Sequence, residues 1–324
     1  MAKVSLLSLI QMTALRVACA EAVAEGIHRF ELRHPEGAAL APFTAGSHVQ
    51  VTSPNGSVRK YSLCNAPGET DRYVIAVKRD PAGRGGSVDL VDNTRVGDVV
   101  PVSEPRNAFE LDGKAPGFLL LAGGIGITPI LSMVKHLQAA QARFRLFYCT
   151  RTLSQTAFVD ELAAPELRGR VTIHHDHGDP ARSLDLWPIF ERPTRDHVYV
   201  CGPRPMLEAV RDMTGHWSPA AIHFESFLDA GAAARPEDRP FTVVLAKSGD
   251  RVEVPPTVSI LEAIRSHGHE APSSCESGTC GTCRTRLIAG EPDHRDLVLA
   301  GHERAGQIMI CVSRALSSEI VIDR

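Results

Sequence analysis

Leu119-Leu120-Leu121-Ala122-Gly123-Gly124-Ile125-Gly126-Ile127-Thr128-Pro129 reads as a buried strand that runs into a glycine turn and the start of a helix. Apolar residues at Ile130, Met133, Val134 and Leu137 then recur at helical spacing. A backbone without side chains can approach a pyrophosphate, and the free N–H groups of a helix start favour its negative charge. Pro129 suits the first helical turn, where its missing N–H costs nothing. The pattern is Gly-x-Gly-x-x-Pro, a departure from the dinucleotide fingerprint, so alone it points only weakly to a nucleotide. The alternation of strand and helix continues to about residue 227, with strands expected over 144–149 and 197–201. At the second of these, Tyr199-Val200-Cys201-Gly202-Pro203-Arg204-Pro205-Met206 again closes a strand and opens a helix. Strands alternating with helices argue for an α/β domain built on a parallel sheet.

Working outward, residues 1 to about 112 read as all-β. Short runs such as Tyr73-Val74-Ile75-Ala76-Val77 are separated by Pro, Gly, Asn and Asp turns, the pattern of a small antiparallel β-barrel. Ile27-His28-Arg29-Phe30-Glu31-Leu32 alternates with period two and is expected to carry the first strand. Lys3 followed by Val4-Ser5-Leu6-Leu7-Ser8-Leu9-Ile10 has a superficial likeness to a secretion signal, but Ser5, Ser8, Gln11, Thr13 and Arg16 interrupt it. No run reaches the ~18 apolar residues of a membrane helix, so a cytoplasmic chain with no membrane association is expected. Lys plus Arg number 35 against 38 Asp plus Glu. Such a balance offers no basic field to a phosphate backbone and excludes nucleic acid as the expected partner.

On the far side of the α/β segment, residues 229–240 carry no periodicity and are expected to be a linker to a third domain at 241–324. There a strand at 241–246 and a short helix at 259–266 precede Cys275-Glu276-Ser277-Gly278-Thr279-Cys280-Gly281-Thr282-Cys283, with Cys311 further on. C-x4-C-x2-C with a distant fourth cysteine is the spacing of plant-type [2Fe–2S] sites. Soft thiolates suit iron, and Gly278 and Gly281 free a short loop of Cβ clashes as it wraps a cluster. Four cysteines also suit structural zinc, although zinc sites usually pair two C-x2-C knuckles and this chain has one. From about residue 236 to 324 the chain resembles the plant-type ferredoxin family, of α+β, β-grasp fold. The resemblance implies one-electron transfer by a cluster on Cys275, Cys280, Cys283 and Cys311.

The Gly-Ile-Gly-Ile-Thr-Pro turn paired with Cys-Gly-Pro-x-x-Met some seventy residues later resembles the ferredoxin-NADP reductase superfamily. It implies nucleotide binding by Gly123, Gly124, Gly126, Thr128, Pro129, Cys201, Gly202, Pro203 and Met206, with Thr128 and Cys201 flanking the nicotinamide. Arg59-Lys60-Tyr61-Ser62 matches the same superfamily's flavin signature. Arg59 can pair with a phosphate, Tyr61 can pack beside the ring system, and Ser62 can hydrogen-bond the flavin's reactive edge. The strand through Ile75, Val77 and Lys78 leads to Gly85, Gly86 and Ser87, where donors could hold the flavin phosphate. Phe227, rather than Phe224, is the aromatic expected over the flavin. Ser62, Thr128 and Cys201 are the expected catalytic residues.

In the order flavin barrel, nucleotide domain and C-terminal ferredoxin, nearly the whole chain is similar to the phthalate dioxygenase reductase family, which includes vanillate O-demethylase reductase components. That likeness implies FMN, a preference for NADH, and service to a terminal Rieske-type aromatic oxygenase. A monomer is expected. Two other readings stand beside it: the same chemistry serving a cytochrome P450 or another acceptor, and a non-enzymatic, zinc-bearing interaction protein. His174, His175 and His177 form a metal-like run that a strand end and loop explain better. Asp176 is expected at the adenosine end of the nucleotide, and Arg151 stands alone where an NADPH site would show a basic pair.

Overall fold

The computed structural model describes residues 11–227 and 235–324. They divide into two compact units, separated in sequence between His223 and Phe224.

The first unit opens with β1 (Met12–Ala24), β2 (Ile27–Arg33), β3 (Ser47–Thr52), β4 (Val58–Ser62), β5 (Tyr73–Lys78), helix α1 (Gly86–Asn93), β6 (Val99–Ser103) and β7 (Arg106–Asn107). The expected first strand is two, because Gly26 takes a φ of 70° and turns the chain back so that Ala24 pairs with Ile27. Only glycine enters that left-handed region without a steric cost. The strands run in the order β4-β3-β6-β1-β2-β5, with β7 on β3, and every pair is antiparallel. The end strands meet where Leu63 bridges Ile75 and the Cys64 N–H donates to the Val74 carbonyl at 2.8 Å. Alternate residues of β3, Val49 and Val51, turn inward to join Val17, Phe30, Leu32, Leu63 and Val77 in the barrel core.

The same unit continues with β8 (Phe118–Gly123), α2 (Ile127–Ala139), β9 (Phe144–Thr150), α3 (Val159–Leu162), β10 (Val171–His175), α4 (Trp187–Phe190), β11 (His197–Cys201), α5 (Arg204–Met213) and the start of β12 (Ile222–Glu225), the strand within which the division falls. The sheet order is β10-β9-β8-β11-β12, with β8 to β11 parallel. The chain therefore starts at β8, winds out through β9 to β10 and returns to β11 on the other side. That reversal puts a switch point at the carboxyl ends of β8 and β11, where open α/β sheets bind their ligands. Helix α2 sits over the junction. Its Ile130, Met133 and Val134 share one core with Leu120, Leu146 and Tyr148 of the sheet and with Ala45, Cys64, Val74 and Ala76 of the barrel. The division expected near residue 112 thus falls inside a continuous core.

The second unit holds β13 (Phe241–Leu245), β14 (Arg251–Val254), α6 (Ile260–Ser266), β15 (Arg284–Ala289), β16 (Pro292–Asp293), β17 (Gln307–Met309), β18 (Arg314–Ala315) and β19 (Glu319–Ile322). Its main sheet, β14-β13-β19-β15-β17, is mixed, with β13 and β19 parallel. A capping box starts α6: Ser259 Oγ accepts from the Glu262 N–H at 3.1 Å while the Ser259 N–H donates to Glu262 Oε2 at 3.0 Å. Ile260, Leu261 and Ile264 then pack on Val243, Leu245 and Ile320.

Of the expected linker, residues 229–234 lie outside the described residues, while 235–240 are anchored rather than free. The Arg295 guanidinium donates to Asp238 Oδ2 at 2.9 Å and to Asp293 Oδ2 at 2.7 Å, and both Asp238 and Arg295 side chains are only 4% exposed. Arg314 lies 3.7 Å from the same carboxylate and donates to the Arg239 carbonyl. Composition suggested a spacer because Ala, Arg, Pro and Asp carry no periodicity; the partners that order it, Arg295 and Arg314, stand 57 and 75 residues away in sequence from Asp238 and Arg239. Chiefly through the hydrogen bond from Arg295, the Asp238 carboxyl is pulled down to about 2. A depressed carboxyl stabilises the fold above its ordinary value near ~4, and that contribution is lost as the pH falls toward 2. Arg295→Met, which leaves Asp238 buried without its main partner, is expected to cost about 3–5 kcal/mol, read as a lower urea midpoint for the second unit.

Candidate functional site

At the switch point the glycines do more than admit a ligand. A Cβ on Gly126 would stand 2.1 Å from the Cys201 carbonyl oxygen, and one on Gly123 would stand 2.5 Å from Pro203 Cδ and 2.9 Å from Met206 Sδ. Gly202 faces Gly123 Cα in the same way, at 3.1 Å. The two motifs found seventy residues apart are therefore in backbone contact, with Cys201 paired to Ala122. Gly124 differs: its φ is 54° and a side chain there would meet nothing within 4 Å, so it is the glycine whose open face can receive a phosphate. Thr128 opens α2, donates its hydroxyl to the Ile125 carbonyl at 3.0 Å, and is 2% exposed. Pro129 follows it in the first turn. Cys201 is wholly buried, so both expected nicotinamide neighbours lie beneath the protein surface at this point.

Of the residues expected at the adenosine end, Asp176 takes the Gly178 N–H on Oδ1 at 2.7 Å and closes a turn after β10. Of the histidine run, His174 Nε2 donates to the Arg182 carbonyl and His175 Nδ1 lies 2.9 Å from Thr150 Oγ1, while the His175 and His177 rings meet edge to face with centroids 6.5 Å apart. Arg151 lies at the same edge, its carbonyl accepting from the His177 N–H.

The residues expected at the flavin lie on β4, on β5 and at the start of α1. Arg59 and Tyr61 share one face of β4, while Ser62 is buried at its end. A Cβ on Gly86 would lie 3.1 Å from Arg59 Cγ, which places this guanidinium stem against the helix start. Helix α1 has no side-chain cap, and its N-cap Gly85 takes a φ of 83° with open space around it. Uncapped N–H groups beside an arginine fit a phosphate. Ser87 Oγ accepts from the Asp80 N–H at 3.2 Å and fixes the preceding turn. Ile75 and Val77 are buried in β5, and Lys78 at its end is exposed. Phe227 is exposed and Phe224 buried. Two residues past Ser62, burial pushes the Cys64 thiol up to about 12.

In the second unit the four cysteines form two pairs. The Cys275 sulfur accepts from Cys280 and from the Ser277 and Thr279 N–H groups, each N–H at 3.4 Å, and its thiol is pulled down chiefly by the bond from Cys280. Cys311 does the same for Cys283. Cys283 and Cys311 are buried, Cys275 and Cys280 half-buried. Among the described residues no three His, Cys, Asp or Glu side chains converge on a single ion position. Two pairs rather than one tetrahedron fit a two-iron cluster, in which each iron takes two thiolates, better than they fit zinc.

Sequence reading passed over the residue that shapes this loop. Asp296 is 1% exposed; its Oδ1 takes the Val298 and Leu299 N–H groups at 3.0 and 2.7 Å, and the turn so formed lets the Leu297 N–H donate to the Gly278 carbonyl at 3.0 Å. The bond from Ser132 on α2 to the carbonyl of Asn65, beyond the end of β4, was also missed. No local pattern signals a contact of that range.

Comparison with known proteins supplies two family matches: an oxidoreductase NAD-binding domain over residues 120–212 and a 2Fe-2S iron-sulfur cluster binding domain over residues 243–316. The chain is 55% identical over 314 residues to a phthalate 4,5-dioxygenase oxygenase reductase subunit of Pseudomonas putida, covering 96% of each. It is 54% identical over 311 residues to a phthalate dioxygenase reductase of Burkholderia cepacia, covering 95% of this chain and 96% of the other. A solved structure of phthalate dioxygenase reductase, described as modular for electron transfer from pyridine nucleotides to [2Fe-2S], matches with a TM-score of 0.72 at 54% identity, covering 97% of this chain and 98% of that one. The iron–sulfur match sets the zinc alternative aside.

Gly278 has a φ of 75°, and a Cβ there would meet Val312 Cγ2 at 2.6 Å, whereas one on Gly281 would meet only Val298 at 3.5 Å. Gly278→Ala is expected to give protein that keeps its flavin but lacks cluster absorption and iron. Gly281→Ala, strained in φ alone, should retain a measurable fraction of the iron found in the parent protein.

Proposed function

The chain belongs to the phthalate dioxygenase reductase family, and on that premise we propose that it is the NADH-dependent reductase component of a two-component Rieske-type aromatic oxygenase or O-demethylase. Arg59, Gly85, Gly86 and Ser87 hold the phosphate of FMN, with Tyr61 and Ser62 beside the ring. Gly124 and the start of α2 take the pyrophosphate of NADH, and Thr128 and Cys201 line the floor under the nicotinamide. Cys275, Cys280, Cys283 and Cys311 hold the cluster. When bound, FMN supplies two-electron acceptance of hydride and the [2Fe–2S] centre supplies one-electron delivery. The protein's part is to bind and orient: it offers N–H donors to phosphates, excludes water with a packed floor, and needs no general base.

The observation that supports this reading is the placement of a single helix between the barrel and the parallel sheet. Helix α2 begins at the nucleotide turn and packs its apolar face on the barrel strands that lead to the flavin residues. We assign the flavin part to residues 1–112, the nucleotide part to 113–228 and the cluster domain to 241–324, with a monomer in the cytoplasm as the working form. The electron acceptor is the terminal oxygenase, whose own substrate sets the aromatic compound used. Among the described residues no helix is long and apolar enough to cross a membrane.

An anaerobic titration of the purified protein tests the assignment. NADH is expected to bleach both flavin and iron–sulfur absorption, and NADPH at equal concentration to bleach them far less. Bleaching of the flavin alone would remove the cluster from the pathway. Cys283→Ser should leave flavin reduction intact and abolish delivery of electrons to the oxygenase.

A further inference from the structure

We propose that Ser132 is a positioning residue for hydride transfer, acting through the hydrogen bond that its hydroxyl donates to the backbone carbonyl of Asn65; the inference rests on the function proposed above. Ser132 lies on α2 one turn after Thr128, on the same face of the helix. Its Oγ reaches the Asn65 carbonyl at 2.9 Å, and the residue is fully buried. A serine inside a helix commonly satisfies its hydroxyl on the carbonyl one turn back. This one spends it on a different element, 67 residues away.

Asn65 is itself fixed. Its side chain accepts from the Val74 N–H at 3.0 Å and donates to the Arg72 carbonyl at 3.1 Å, and only 2% of the residue is exposed. It stands three residues past Ser62, directly after Leu63 and Cys64, whose bonds to Ile75 and Val74 join the end strands of the barrel. The carbonyl is thus a rigid extension of the flavin strand, and the hydroxyl a rigid extension of the nucleotide helix.

The surrounding contact is apolar: Ile130, Met133 and Val134 of α2 lie in one core with Ala45, Cys64 and Val74. Apolar packing sets how closely two surfaces approach but has no direction, and methionine adapts to small slips. The Ser132 to Asn65 bond is directional and fixes the position of α2 along the barrel. Hydride transfer needs that precision: reacting atoms must lie about 3–3.5 Å apart, and a 1 Å misplacement can cost ~100-fold in rate. The hydride carries both electrons from the nicotinamide to the flavin, leaving NAD⁺, and Ser132 neither gains nor loses a proton.

Ser132→Ala and Ser132→Cys in the flavin- and cluster-loaded full chain test this by rapid anaerobic mixing with NADH. Three quantities are read: the limiting rate of flavin reduction, the long-wavelength charge-transfer absorption of the nucleotide–flavin complex, and the NADH dissociation constant. For the Ala variant the limiting rate is expected to fall about tenfold or more and the charge-transfer band to weaken, with the dissociation constant and flavin content little changed. Ser132→Cys, which keeps a weak donor of similar shape, should recover part of both rate and band. An Ala variant with the parent rate and band would overturn the inference alone. So would a change confined to the dissociation constant, or loss of flavin from both variants, since the hydroxyl would then serve binding or barrel stability. A parent protein whose flavin NADH leaves oxidised would instead overturn the functional reading beneath it.

Discussion

The carbonyl oxygen of Cys201 lies where any side chain on Gly126 would have to begin, and Pro203 and Met206 fill the corresponding space at Gly123. Backbone therefore packs on backbone at the carboxyl ends of β8 and β11. This contact sets where α2 starts and in which direction it leaves the sheet. Because α2 packs on both layers of the first unit, its direction in turn determines how the nucleotide turn faces the strand bearing Arg59, Tyr61 and Ser62. The geometry of this junction is referred back to Gly123, Gly126 and Gly202, three residues that have no side chain.

Much of this was legible in the sequence, though partly for a different reason. The strand 197–201 matches its expected bounds, and the glycine turn and the Cys-Gly-Pro segment were expected to act together. Their glycines were read as room for a pyrophosphate, yet Gly123, Gly126 and Gly202 are spent on protein packing and only Gly124 keeps an open face. A sequence shows that a residue lacks a side chain; it does not show what occupies the vacated space. The cysteine loop was readable because thiolate spacing carries its own chemistry. Ser132 and Asp296 were not readable, since an isolated serine on an apolar helix and an aspartate in a loop acquire meaning only from partners brought near by the fold.

The C-terminal unit shows the same limit from the other side. Residues 235–240 have the composition of a spacer, but Asp238 lies under two guanidinium groups and Arg239 offers its carbonyl to Arg314. Buried ion pairs of this kind add little net stability over an apolar replacement, because each charge has first to leave water. What they provide is placement: residues 235–240 are held at Asp293 and Arg295, next to the Asp296 turn that is bonded to the cluster loop through Leu297 and Gly278.

Cys64 lies two residues past the serine assigned to the flavin edge, in an enzyme that handles reducing equivalents. With its thiol pushed up to about 12 by burial, this sulfur stays protonated at neutral pH. Peroxide and disulfides react with thiolates and need access to them, so this sulfur is sheltered twice, by its protonation and by the core around it. The first unit can thus work beside a redox centre in air without that residue becoming its point of chemical wear.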